Sequence, residues 1–112
     1  MEAHIKNALS EWKKEISELL DVIEKEYEEV KRELQVYSYK FNITKQVVQS
    51  TINDEIIRDI RDLYHKPFEQ KVSQLKESIK ELEEKKKVFQ MFVDKIEKVC
   101  EKEEGKSYVS VI

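Results

Sequence analysis

The stretch IKNALSEWKKEISELLDVI, residues 5–23, places Ile5, Leu9, Trp12, Ile16, Leu19 and Ile23 at alternating steps of four and three. A helix that turns every ~3.6 residues brings positions three and four apart onto one side. The spacing therefore predicts an amphipathic helix with a heptad seam. Moving outward, the seam runs on through Tyr27, Val30, Leu34 and Tyr37, but the step from Ile23 to Tyr27 is four where three is due. Such a stutter locally unwinds a left-handed supercoil, and a change of packing partner is expected there. Leu20 and Val22 widen the stripe just before it.

Past Gln35 the pattern changes. Tyr37, Tyr39, Phe41 and Ile43 alternate with Ser38, Lys40 and Asn42, a period of two that reads as a short strand or, in a chain with no sheet to join, as the corner of a helical hairpin. The corner is the expectation, over about residues 36–44. A second helix fits about 44–65, with Val48, Ile52, Ile56, Ile60 and Leu63 inward; Ser50-Thr51-Ile52-Asn53-Asp54 is rich in capping residues, and Thr51 or Asn53 is able to restart a helix after a short break. Pro67 is expected to stop this helix, because proline disfavours the helical conformation at Lys66 and has no N–H to donate. A third helix then runs over about 67–104 through Phe68, Val72, Leu75, Ile79, Leu82, Phe89, Val93, Ile96 and Cys100, with Lys86 the one break in its register and Gly105 a stop.

These readings predict an all-α fold: an elongated antiparallel helical hairpin or three-helix bundle with coiled-coil-like packing, two long helices and a shorter middle one. One domain is expected over residues 1–104, followed by a flexible or extended tail over 105–112. Within that tail Lys106–Ile112 is strand-like, and its end, Ser110-Val111-Ile112, resembles a ligand of PDZ domains, which add such a tail to a sheet edge.

Composition agrees with long helices. The chain has 112 residues with a single glycine and a single proline, the two residues that punctuate most loops. Charged residues reach 40%, against about a quarter in an ordinary domain, and imply wide hydrated faces. The 24 acidic and 21 basic residues are interspersed and leave a net charge of −3. Nucleic acid is not the expected partner, since phosphate binding needs a net basic face; Lys85-Lys86-Lys87 follows directly on Glu83-Glu84 and reads as a solvated helix face. No apolar run approaches the ~20 residues of a membrane span, and the first residues do not read as a signal peptide. A cytoplasmic location is expected, with leaderless export the alternative.

No residue pattern points to catalysis. With one cysteine, Cys100, the chain has neither an internal disulfide nor a cysteine-based zinc site. His4 and His65 lack neighbours at metal-ligand spacing, and His65 reads as a helix C-terminal residue beside the proline. A single glycine leaves no phosphate loop. The expectation is no enzyme activity, no cofactor, no metal and no small-molecule substrate. Candidate partner-binding residues are the large apolar side chains Trp12, Tyr27, Tyr39 and Phe41, with Val88, Phe89, Met91 and Phe92, which together with Val93 wrap over half of the third helix, more than one neighbour is able to cover. Trp12 is expected in the core, with the alternative of an anchor set into a partner. Lys86 is expected to reach out to water, or to set register against a specific partner.

The expected function is that of an adaptor or assembly factor binding a helical protein, or itself as a homo-oligomer, through its apolar seam. Two alternatives stand beside it. Over most of the chain, length and periodicity resemble the small helical partners of type VII secretion substrates in Gram-positive bacteria, which implies a chaperone or targeting role for a secreted protein. The Trp-x-Gly turn of the best-known such family is missing, since Trp12 is followed by Lys13-Lys14. The other alternative is a small inhibitor of a larger enzyme, its acids mimicking nucleic acid, although Lys25, Lys31 and Arg32 interrupt the stretch Glu24, Glu26, Glu28, Glu29.

Overall fold

The structure, a computed structural model, describes the backbone of residues 1–110 and the side chains of residues 1–102. Every element among the described residues is helical: α1 over Ala3–Gln49, α2 over Asp54–Ile60, a π-helical turn over Arg61–His65 and α3 over Lys66–Ser110. None of these helices is long and apolar enough to cross a membrane.

The first helix does not end near residue 36. It runs without interruption to Gln49, so the expected corner at 36–44 is helical. Period two is compatible with a helix here because Tyr37 and Phe41 form one i,i+4 pair and Tyr39 and Ile43 another, about 200° apart on the helix surface. Tyr37 and Phe41 are half-buried, whereas Tyr39 is 72% exposed and Ile43 exposed. The inward row continues through Thr44, which is buried and whose Oγ1 donates to the Lys40 carbonyl oxygen at 2.8 Å. That bond satisfies the hydroxyl inside a helix.

The break falls instead at residues 50–53. The Ser50 N–H donates to the carbonyls of Gln46 (3.1 Å) and Val47 (3.2 Å), and Thr51 Oγ1 donates to the Val47 carbonyl at 2.6 Å, closing the end of α1 with side chain and backbone together. Asn53, one of the two residues able to restart a helix, does so: its backbone is extended and its Oδ1 accepts from the Glu55 N–H (3.0 Å) and the Ile56 N–H (3.2 Å). Asp54 and Glu55 add negative charge where the helix dipole is positive. The middle helix is accordingly much shorter than the expected 44–65.

Pro67 does not stop the chain. The helix widens just before it into the π turn, in which the Lys66 N–H donates to the Arg61 carbonyl five residues back. The physical reason is steric. A pyrrolidine ring collides with the carbonyl four residues earlier in an α-helix, and one wide turn moves that carbonyl aside. Pro67 thereby occupies the first turn of α3, where its missing N–H is tolerated. At the other end, Gly105 does not terminate α3 either, since the helix extends to Ser110. A single glycine inside a long helix costs only about 1 kcal/mol, too little to override its neighbours. The strand-like reading of Lys106–Ser110 is thus corrected, and Val111 and Ile112 of the PDZ-like tail lie outside the described residues.

The chain divides into two compact units, one of residues 1–25 with 83–112 and one of residues 26–82. On α1 the division falls between Ile23 and Tyr27, inside the stutter. In the first unit Ile16, Val93 and Ile96 form the core, with Leu9, Leu20, Phe89 and Cys100 packed around them. Lys13 Nζ meets Glu97 Oε1 at 2.9 Å and Lys86 meets Glu24, so ascending numbers on α1 face descending numbers on α3. In the second unit Lys71 Nζ meets Glu33 Oε1 at 3.3 Å and Tyr37 meets Phe68, again in opposite sense. Leu75 and Leu82 are its buried apolar residues.

Candidate protein-interaction surface

In the first unit, α1 has a single helical neighbour, and a single neighbour covers one stripe. Leu9, Ile16, Leu20 and Ile23 take that stripe. The other half of the heptad seam, Ile5, Trp12 and Leu19, stands one step round the helix and is exposed. Trp12 is therefore not the core residue it was expected to be: it is 45% exposed. Its indole meets the Phe92 ring edge-on, with centroids 5.8 Å apart and planes at 64°. Phe92 in turn meets Phe89 at 5.9 Å, and Phe89 packs on the core. An aromatic row thus leads from the core out to an open flank. Beside it Val88, Met91, Phe92 and Lys95 line a shallow apolar groove. Water against these side chains costs free energy that a covering surface recovers.

No family model, curated protein or solved structure matches this chain. The reading of its surface therefore rests on the residues themselves.

The second unit brings Tyr37, Phe41, Tyr64, His65 and Phe68 together. Tyr37 meets Phe68 edge-on at 5.9 Å, Tyr64 stacks on Phe68 at 5.9 Å, and Phe41 lies against the His65 ring at 5.0 Å. Lys40 Nζ stands 4.9 Å and Lys71 Nζ 5.6 Å from the Tyr37 centroid, so two ammonium groups use one ring. Phe41 is consequently a packing residue, and Tyr27 is half-buried as well. Tyr39 projects away, in a row with exposed Val36, Ile43 and Val47. Of the eight residues singled out in the sequence, Trp12, Val88, Phe89, Met91 and Phe92 come together in the first unit, while Tyr27, Tyr39 and Phe41 belong to the second. Ile5 and Leu19 share this exposed row with Trp12 although both keep heptad register; that they lie seven residues either side of Trp12 is the signal the sequence offers for it.

The remaining chemistry-bearing side chains stand apart from one another. His65 sits inside the π turn and not at a helix end, with Nε2 3.8 Å from Glu69 and Nδ1 buried without a hydrogen-bond partner. His4 is exposed, its Nδ1 3.4 Å from Glu2. Cys100 is half-buried beside the first unit's core, and Lys86 reaches outward to Glu24. Among the described residues no three His, Cys, Asp or Glu side chains converge to hold a metal ion.

Proposed function

We propose that this chain is a non-enzymatic interaction module, an adaptor or assembly factor in which α1 and α3 pair as an antiparallel hairpin with coiled-coil-like packing and dock a helical protein or a second copy. One observation carries the reading. Trp12, Val88, Met91 and Phe92 form a contiguous apolar and aromatic flank that the first unit's own packing leaves open. Tryptophan and other aromatics anchor interfaces because they bring large area at small entropic cost, and methionine adapts to an irregular partner. The docking work needs no cofactor and no substrate pocket.

Phe92→Glu tests this. It sets a charge in the middle of the flank while leaving the core residues Ile16, Val93 and Ile96 in place. Far-ultraviolet circular dichroism is expected to report near-normal helicity, and pull-down from the native source is expected to lose one specific protein, or the chain itself, relative to wild type. Global unfolding of the variant, or an unchanged set of captured proteins, overturns the reading.

A further inference from the structure

We propose that the open flank of the first unit is covered by a second copy of this chain, in a twofold arrangement that lays α1 of one copy over α3 of the other. The inference rests on the interaction reading above and names its partner. What carries it is the charge along the two edges of the flank.

Outside Trp12 and Leu19, the α1 edge carries Glu11, Glu15 and Glu18, all exposed. Outside Phe92, the α3 edge carries Lys95, Lys98 and Lys102, also exposed. One apolar strip thus has an acidic border on one helix and a basic border on the other. Toward the opposite end of the unit Lys25 on α1 and Glu84 on α3 carry the other sign, while Lys85, seven residues before Phe92 and so in its row, keeps the basic sign on α3. The ion pairs within the unit fix the heights. Lys13 with Glu97 sets Glu11 and Glu15 level with Lys98 and Lys95, and Glu24 with Lys86, in the same register, sets Lys25 level with Lys85. Away from that end the charges that break the pattern, Lys14, Asp94 and Glu101, stand a step further round their helices, and Asp94 already accepts from Gln90 Nε2 at 3.1 Å.

Two faces of this kind meet by a twofold axis in one of two ways. An axis along the helices keeps every height and sets α1 over the partner's α3, so the acidic border of each copy faces the lysine border of the other. An axis across the helices sets α1 on α1, with glutamates facing glutamates. Facing like charges cost more than facing opposite ones return, so the first arrangement is selected. It is also closed, because a twofold contact uses the same patch on both copies and leaves none for a third. Trp12 and Phe92 of both copies then lie in the dry centre, with the charges at the rim.

The test is sedimentation of the full chain over a range of concentrations. Wild type is expected to dimerise. Glu11→Lys with Glu15→Lys makes both borders predominantly basic, and Lys95→Glu with Lys98→Glu makes both predominantly acidic; each double variant is expected to lose about tenfold or more in dimer affinity while keeping its helicity. An equimolar mixture of the two is expected to recover a dimer containing one of each, because every border again faces its opposite. The chain carrying all four substitutions, whose borders are exchanged but still complementary, is expected to dimerise like wild type. A folded wild-type monomer at every concentration overturns the second copy as occupant. So do double variants that dimerise unimpaired, or a mixture that stays apart. A folded monomer that loses a different captured protein on Phe92→Glu leaves the interaction reading standing, whereas a Phe92→Glu chain that unfolds removes that reading as well.

Discussion

Replacing Ile23 and its neighbour Val22 separately by alanine measures how sharply the inward stripe of α1 is defined. Ile23 is 1% exposed and Val22 is 59% exposed, although the two are adjacent in the chain. Ile23→Ala removes three buried carbons, a transfer loss of about 2.4 kcal/mol at ~0.8 kcal/mol each. A residual cavity adds to this and alanine's helix propensity returns a few tenths, so the expected loss is about 3 kcal/mol. Val22→Ala removes two carbons that are mostly in water already, and the same propensity gain offsets what little burial is lost; its expected change is about zero. In a domain of this size 1 kcal/mol corresponds to roughly 4 °C. Thermal unfolding followed by far-ultraviolet circular dichroism, at one fixed protein concentration since self-association raises the midpoint, should show Ile23→Ala melting about 12 °C early and Val22→Ala unchanged. Equal shifts for the pair would refute the assignment of one side of α1 to the core.

Three further substitutions test the local reasoning. Asn53→Ala removes the side-chain oxygen that accepts from Glu55 and Ile56; urea denaturation should report a loss of about 1 kcal/mol, and Asn53→Asp close to none. Thr44→Val keeps the volume of a buried side chain whose hydroxyl bonds only to the Lys40 carbonyl; stability should rise or hold within about 0.5 kcal/mol, and a large loss would reveal a second role for the hydroxyl. A double-mutant cycle on Glu24 and Lys86, both half-exposed, should return a coupling under about 1 kcal/mol that shrinks with added salt.

The heptad seam of residues 5–23 and 68–100 made the two long helices legible, because period and length together leave no other element. Helix ends were less so. Period-two spacing at Tyr37, Tyr39, Phe41 and Ile43 is shared by a strand and by a helix that is apolar on two sides, and only packing separates them. Pro67 and Gly105 are local preferences of a few kcal/mol or less, set against the cooperative gain of continuing a helix that already has a neighbour. A π turn answers the first without a break, which no residue spacing announces. On the surface, size and spread around the helix point to eight aromatic and aliphatic residues but not to which of them share a face. Heptad register alone does not say which of its two positions faces inward, so it points to Trp12 as core where Leu9 and Ile16, three and four residues from it, take that place.

Both units leave apolar side chains open, but the rows differ in their borders. In the first unit the open row is flanked by acids on one helix and lysines on the other, a pattern that discriminates between ways of being covered. In the second unit Val36, Tyr39, Ile43 and Val47 lie on the side of α1 away from Phe41, and from Gln35 to Asn53 the chain has no acidic residue and only Lys40 and Lys45 as charges. A row bordered by one sign pairs poorly with itself and offers no register to a partner. Its side chains are already largely in water, so removing them has little to lose. Tyr39→Gln with Ile43→Gln should therefore leave the melting temperature within about 2 °C of wild type and leave the sedimentation behaviour unchanged, while reducing aggregation on heating. A drop in melting temperature comparable to that of Ile23→Ala would mean that this row is packed after all, and that the inward stripe of α1 beyond the stutter has been assigned to the wrong side.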